Sequence, residues 1–198
     1  MPPLQAAVTL HGPRITLRPW VDSDLAPFAA LNADPEVMRH FPAPLGTAES
    51  DAMAGRIRAH FHQHGWGLWA LQAPGCGFAG FVGLATVPFT LPVPGYGEAR
   101  APHLEIGWRL ARHAWGQGWA SEGAALALDF ALRVLRRPQV LSFTAHSNTR
   151  SAAVMQRIGL QLVAGFDHPR LAIGHPLRRH VLYASVGDGM DGTGAPGA

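Results

Sequence analysis

The strongest constraint on the fold lies between residues 104 and 136. An apolar run, Leu104 to Leu110, passes through a polar turn with glycines two residues apart, Gly116 and Gly118, into an apolar-periodic helix that begins at Trp119. A strand is thereby delivered into the start of a helix through glycine. The first helical turn leaves several N–H groups without partners, and the aligned peptide dipoles make that end partly positive. Glycine just before it removes the Cβ that would hold a bulky anion away. The turn is a candidate cradle for phosphate or pyrophosphate, with an ordinary tight strand-to-helix connection as the other reading. Two nucleotide motifs are excluded. A P-loop needs GxxxxGK[ST], and the sixteen basic residues are all arginine; GxGxxG fails because Ser121 stands where the third glycine belongs.

Composition narrows the class. The chain has 198 residues, 47% of them hydrophobic and 15% charged, which suits one globular domain and not a disordered polymer. A formal charge of +3 with no block of like charges gives nucleic acid no basic stripe to bind. The single cysteine, Cys76, excludes an intramolecular disulfide. It falls in a Gly-Cys-Gly turn, where a bystander is expected. No basic-then-apolar leader opens the chain and no apolar run approaches eighteen residues, so the expected compartment is the cytoplasm.

Punctuation places the other elements. Residues 1–13 are expected to be flexible, 14–186 to form one domain, and the apolar-poor tail 187–198 to be disordered. Alternation over Arg14–Trp20 reads as a first strand. Asp22-Ser23-Asp24 and Asp34-Pro35-Glu36 read as caps of two short helices, whose connecting turn is expected to wall the substrate side. A longer helix follows from Thr47 to about His62, with Met53, Ile57 and Phe61 on one face. Strands are expected at 66–72 and 78–87 as a hairpin, then at 103–110, 140–145, 161–166 and 179–186. Helices fill 119–136 and the stretch from Asn148 to Gly159. The proline-rich segment 88–102 is a long loop, either a wall of the substrate opening or a disordered tip. His60, His62 and His64 lack the further ligands a closed zinc site needs, so no metal is expected.

Three blocks in order resemble a known family. EIGWRLARHAWGQGWASEGAALALDFAL resembles the acetyl-CoA-binding motif of the GNAT superfamily of N-acetyltransferases, in the branch of the ribosomal-protein N-terminal acetyltransferases. HSNTRSAAVMQRIGLQLVAGF resembles the family's later motif, and LRPWVDSDLAPFAALNADPEVMRHF its opening segment; together they span about residues 14–186.

The resemblance implies an α/β (α+β) fold. A mixed, mostly antiparallel sheet of six to seven strands would be flanked by about four helices, with its fourth and fifth strands (103–110 and 140–145) parallel and splayed apart to admit the pantetheine arm of acetyl-CoA. By position, the backbone N–H groups of Gly116, Gln117, Gly118, Trp119 and Ala120 would hold the pyrophosphate, with Trp115 and Ser121 also at the cofactor. Arg112 would pair with it, and Gly107, Trp108 and Leu110 would line the arm with Asn148 and Ser151. Arg150 and Arg157 are secondary phosphate candidates.

Acetyl transfer to a primary amine, on a protein N-terminus or a small molecule, then needs a base and a polarised carbonyl. Glu105 is the expected base, directly or through water, and the N–H of Gly107 or Trp108 the polarising donor. The family's usual tyrosine donor to the thiolate is replaced by Met155, which leaves Ser147, Ser151 or His146, or no acid at all. The alternative function is an acyl-CoA-binding sensor without catalysis. The partners expected are the amine acceptor and, as in much of this branch, a second copy of the chain, with neither nucleic acid nor membrane.

Overall fold

The central strands carry continuous apolar or small runs buried on both faces, as over Phe78–Leu84, and so lie inside the sheet with helices on either side. A computed structural model describes residues 6–97 and 102–186. Eight strands form one sheet: β1 (Leu10–His11), β2 (Thr16–Arg18), β3 (Leu68–Ala73), β4 (Cys76–Thr86), β5 (Leu104–Leu110), β6 (Val140–Ala145), β7 (Gln161–Asp167) and β8 (Arg179–Ala184). Their order is β1-β2-β3-β4-β5-β6-β8-β7. All neighbours run antiparallel except β5 and β6. The parallel pair is therefore the one expected from the sequence, shifted by one in number because β1 adds a strand.

Pairing reaches further toward the N-terminus than composition suggests. Leu10 and His11 pair with Leu17 and Thr16, the Val8 N–H donates to the Gly65 carbonyl, and Trp69 Nε1 donates to the Val8 carbonyl. Residues 8–11 of the stretch expected to be flexible are thus tied to the sheet. The tail 187–198 and residues 98–101 of the long loop lie outside the described residues.

Among the described residues five α-helices accompany this sheet: α1 (Leu25–Ala33), α2 (Pro35–Met38), α3 (Thr47–His64), α4 (Trp119–Asp129) and α5 (Thr149–Arg157). Asp34 caps α2 as expected, accepting from the Glu36 N–H at 2.8 Å. Asp24 does not cap α1. Its carboxylate is buried and takes both Nη atoms of Arg18 at 2.7 and 2.8 Å together with the Val21 N–H. An arginine reaching over from β2 outcompetes the helix end because a bidentate charged pair is stronger than a cap. The helix expected over 119–136 narrows its claim to α4 and then widens into a π turn over Phe130–Val134, which leaves Val134 63% exposed.

The main core lies between α4 and the sheet on one face and α1 and α3 on the other. Ala124, Ala127, Phe130 and Ala131 supply its helical side, and Leu17, Leu71, Val82, Leu84 and Ile106 come from the strands. Trp69, fully buried, stacks edge-on against Phe61 and Phe130. Trp69→Ala is expected to cost about 3–5 kcal/mol in denaturant unfolding, because it leaves both a void and an orphaned Val8 carbonyl. A second cluster joins Val87, Leu91 and Val93 to Leu141, Phe166 and Leu182. The described part of the long loop is therefore packed on β6, β7 and β8, not a loose tip.

Candidate active site

The sheet is continuous until β5 and β6 part. They pair at two positions, Leu104 with Val140 and Glu105 with Leu141. At the next position the Ser142 hydroxyl donates to the Ile106 carbonyl at 2.8 Å, replacing a ladder bond by a side-chain bond. Beyond it the strands separate. A cavity of about 1560 Å³ occupies the fork.

Some main-chain groups on the open edge of β5 are unspent. The Ala111 N–H donates to Ala79 and the Val87 N–H to His103, so odd-numbered residues of β5 turn their main-chain groups toward β4. By alternation Ile106, Trp108 and Leu110 turn theirs toward β6. The Ile106 and Leu110 carbonyls are taken by Ser142 and by Trp115 Nε1. What remains facing the cleft is the N–H and C=O of Trp108 and the N–H of Leu110. Of the two donors considered from sequence, Gly107 or Trp108, the alternation favours Trp108.

At the far end of the cleft stands the glycine turn. Gly116 and Gly118 have φ of 76° and 77°, and a Cβ added at Gly116 would meet nothing within 4 Å. Both left-handed positions lead into the N-terminus of α4, so amides there point outward without side chains in the way. Arg14 fixes the turn from outside. Its Nη1 donates to the Gln117 carbonyl at 2.9 Å, and its Nε and own N–H both reach the Glu122 carboxylate at 2.8 Å. With the Gln117 carbonyl held outward, the neighbouring amides are left for an anion. The glutamate that closes the WGxGxAxE string is thus the anchor of the turn, and Arg14 is its partner from β1–β2. Arg14→Ala is expected to weaken acetyl-CoA binding about two- to fivefold in calorimetry, the effect of losing a partly exposed ion pair.

The cavity gathers most of the residues singled out from the sequence. Glu105, Gly107, Trp108, Leu110, Trp115, Gly116, Gly118, Trp119, Ala120, Ser121, Asn148 and Ser151 all line it, with Arg150 and Arg157. Arg112, Gln117 and Ser147 do not. Arg112 points toward Asp34, 3.9 Å away, beside a smaller surface pocket. Ser147 is exposed, and its hydroxyl faces His40 Nδ1 at 3.4 Å. Asn148 caps α5 through the Ser151 N–H, and its amide nitrogen donates to Thr144 Oγ1 and Ser151 Oγ at 3.0 Å. Its side chain orders the helix start and is spent doing so. Met155 lines the cavity where a tyrosine was looked for, and neither Tyr96 nor Tyr183 reaches it.

Glu105 sits at the crotch of the fork. It shares a strand face with Gly107, as alternation requires, and a Cβ built on Gly107 would lie 4.0 Å from Glu105 Oε1. Burial pushes its carboxyl up to about 8, since low dielectric disfavours the charged form. A carboxyl so placed holds its proton at neutral pH and accepts one from an acceptor only in its ionised form, which becomes the major one as pH rises through about 8.

The loop from Phe41 to Thr47, expected from the sequence to face the acceptor, contributes Phe41 and Pro42 to one wall of the lining. Arg39 and His40 just before it, and Phe143, His168 and His180 of the opposite wall, from β6, the β7–β8 loop and β8, escaped sequence reasoning. Burial, then the neighbouring His180 and Arg170, push His168 down to about 4, so it stands neutral at pH 7. Phe89 from the long loop packs on Phe143 and His168 and so backs this wall. Arg109 lies on the same face of β5 as Glu105 and Gly107, and that period-two run of polar or small residues was the available signal. The histidine trio is scattered by comparison: His60 and His64 rings lie 4.3 Å apart against Trp66, and His62 points to solvent. No group of three or more potential ligands for a metal ion occurs among the described residues. Cys76 places its sulfur 3.2 Å from His113 Nε2, away from the cavity.

A mixed sheet whose one parallel pair splays around a glycine-turn helix start defines a class, that of acyl-CoA-binding transferases. The protein belongs to the GNAT acetyltransferase family: residues 14–161 match the model of the acetyltransferase (GNAT) domain. Over 166 residues, 82% of this chain and 69% of the relative, it is 31% identical to FsC-acetyl coenzyme A-N(2)-transacetylase of Aspergillus fumigatus. It matches the crystal structure of an acetyltransferase from Agrobacterium tumefaciens with a TM-score of 0.70 and 26% identity, covering 90% of this chain and 94% of that one. RimL, a ribosomal alpha-N-protein acetyltransferase solved in complex with coenzyme A, shares the fold at a TM-score of 0.70 and 16% identity over 91% of this chain and 99% of that one. The family uses acetyl-CoA as acetyl donor. Among the described residues no helix is long and apolar enough to cross a membrane.

Proposed function

We propose that the protein transfers the acetyl group of acetyl-CoA to a primary amine by direct attack, within a single domain over residues 14–186 that works in the cytoplasm. The observation that carries this reading is the fork itself. It has an unspent strand edge on one side, an anion cradle at one end and a proton-accepting carboxyl at the other.

In this reading the amides of Gly116 to Ala120 hold the pyrophosphate and the free edge of β5 holds the pantetheine arm. The Trp108 N–H polarises the thioester carbonyl, as an oxyanion donor does. The acceptor ammonium gives one proton to the Glu105 carboxylate, directly or through water. The amine nitrogen then bonds to the carbonyl carbon, the carbon–sulfur bond breaks, the sulfur leaves with the electron pair as thiolate, and the nitrogen's second proton passes to that sulfur or to water. Ser151 is the hydroxyl the cleft offers to that thiolate. A thiol titrates near pH 8.5, so departure without a donor is tolerable too.

The acceptor is an α-amine of a protein, in line with the motif resemblance to the ribosomal-protein branch, or a small-molecule amine; the Aspergillus relative is by name an N(2)-transacetylase, which supports nitrogen as the acetylated atom. The test is release of free thiol from acetyl-CoA with a panel of amines, amino acids and N-terminal peptides, with the acetylated product weighed by mass spectrometry. Thiol release matched by product with one acceptor class supports the reading. Acetyl-CoA binding with no turnover on any acceptor would instead make the protein a sensor.

A further inference from the structure

Among the described residues Arg109 is a buried cation without an anion. It is 8% exposed, lines the cavity, and takes part in none of the ion pairs among the described residues. The other arginine that reaches inward, Arg18, is satisfied by both oxygens of Asp24. Arg109 has instead a built seat. Its Nη1 donates to Asn32 Oδ1, and Asn32 is held by its Nδ2 donating to Ser50 Oγ at 2.8 Å, both residues being fully buried. The guanidinium carbon lies 4.0 Å from the centre of the Phe41 ring and 5.5 Å from that of Phe81. Nε is buried and has no acceptor among the described residues.

Such an arrangement is costly unless something completes it. A buried ion whose partner is missing destabilises the fold, and an apolar side chain in its place is often neutral or better. Three elements, α1, α3 and β5, nonetheless hold this guanidinium in place. Burial pushes it down to about 10, so it remains charged at pH 7. Arg109 stands on the face that carries Glu105, four residues or about 13 Å further along the strand, against the wall formed after α2.

We propose that Arg109 reads a carboxylate on the acceptor, so that the protein acetylates amines that also carry a carboxylate. The proposal rests on the acetyltransferase reading above and adds the acceptor's chemistry to it. A planar fork of donors matches a carboxylate in two parallel bonds, and a buried unpaired donor rejects an uncharged analogue strongly because it is then left unsatisfied. The carboxylate has two sources, the α-carboxylate of a free amino acid or an acidic side chain next to a peptide N-terminus.

The test compares matched acceptors: the proteinogenic amino acids against their carboxamides, and tetrapeptides with Asp against Asn at the second position. Each pair is run with wild type, Arg109→Gln and Arg109→Lys. Wild type is expected to favour the acid of one pair by at least about 100-fold in kcat/KM, through KM. Arg109→Gln brings the ratio near one, Arg109→Lys recovers part of it, and acetyl-CoA affinity stays unchanged in all three. An amide used as well as its acid, or a ratio that survives Arg109→Gln while all rates fall together, overturns the proposal. Turnover is not required to judge it. Melting of the acetyl-CoA-saturated protein is raised by the acid and not the amide if Arg109 binds it, and equal melting with both overturns it. Loss of turnover with that difference intact would fault the enzymatic reading alone.

Discussion

Glu105→Gln is expected to lower kcat/KM by about 100- to 10,000-fold, the range a positioned general base contributes, without changing acetyl-CoA affinity. The carboxyl sits where β5 and β6 separate, at the end of the cleft opposite the pyrophosphate cradle. Its titration near 8 sets a sign: wild-type activity rises with pH through about 8, as the carboxyl loses its proton. An acceptor α-amine also loses its proton near 8. The variant separates the two, because whatever rise persists in Glu105→Gln belongs to the amine. Stability moves the other way. The folded carboxyl keeps its proton up to about 8, whereas the unfolded one releases it near 4.5. Its contribution is complete below pH 4.5 and is lost as pH rises to 8. Glu105→Gln flattens that decline, so denaturant unfolding at pH 9 should find the variant at least as stable as wild type. An inactive but unstable variant would mean the residue is structural.

Gly118→Trp is expected to raise the dissociation constant for acetyl-CoA at least about 100-fold, or about 2.7 kcal/mol. Gly118 has φ of 77°, and an added Cβ would stand 3.2 Å from Arg14 Nη2, the far end of a flexible side chain. The fold therefore absorbs part of the change, while the indole fills the approach to the amides at the start of α4. Left-handed backbone costs a non-glycine residue about 1–2 kcal/mol by itself. Gly75→Trp supplies the control: Gly75 has φ of 70° in the β3–β4 turn, an open surround, and no part in the cavity. Both variants should lose similar stability in a thermal melt, and Gly118→Trp alone should lose the ligand. Equal retention of binding would remove the cradle from the account.

Much of this was written locally in the chain. The strand, glycine turn and helix of residues 104–129 need no distant partner to be recognised, because periodicity and positive φ are properties of neighbours in sequence. Asp34 could be read as a cap for the same reason. Asp24 could not. Its choice of Arg18 over the helix end depends on β2 passing beside it, a fact of tertiary packing. Arg14 with Glu122 and the Ser50, Asn32 and Arg109 chain were hidden in the same way, each joining residues far apart in sequence. The motif's last glutamate could be matched to the family, but its task became visible only with Arg14 beside it. The two-residue β1 strand was missed because so short a segment carries no period of its own, and the partition of histidines between α3 and the cavity wall depends on where β7 and β8 lie.

Hydrogen–deuterium exchange of the protein with and without saturating acetyl-CoA tests the central claim most directly. Slower exchange is expected at the free amides of Trp108 and Leu110, across Gly116–Ala120, and at the start of α5, with the β1–β4 half of the sheet unaffected. Protection confined to other segments, or none at all, would contradict the assignment of the β5–β6 fork as the acetyl-CoA site.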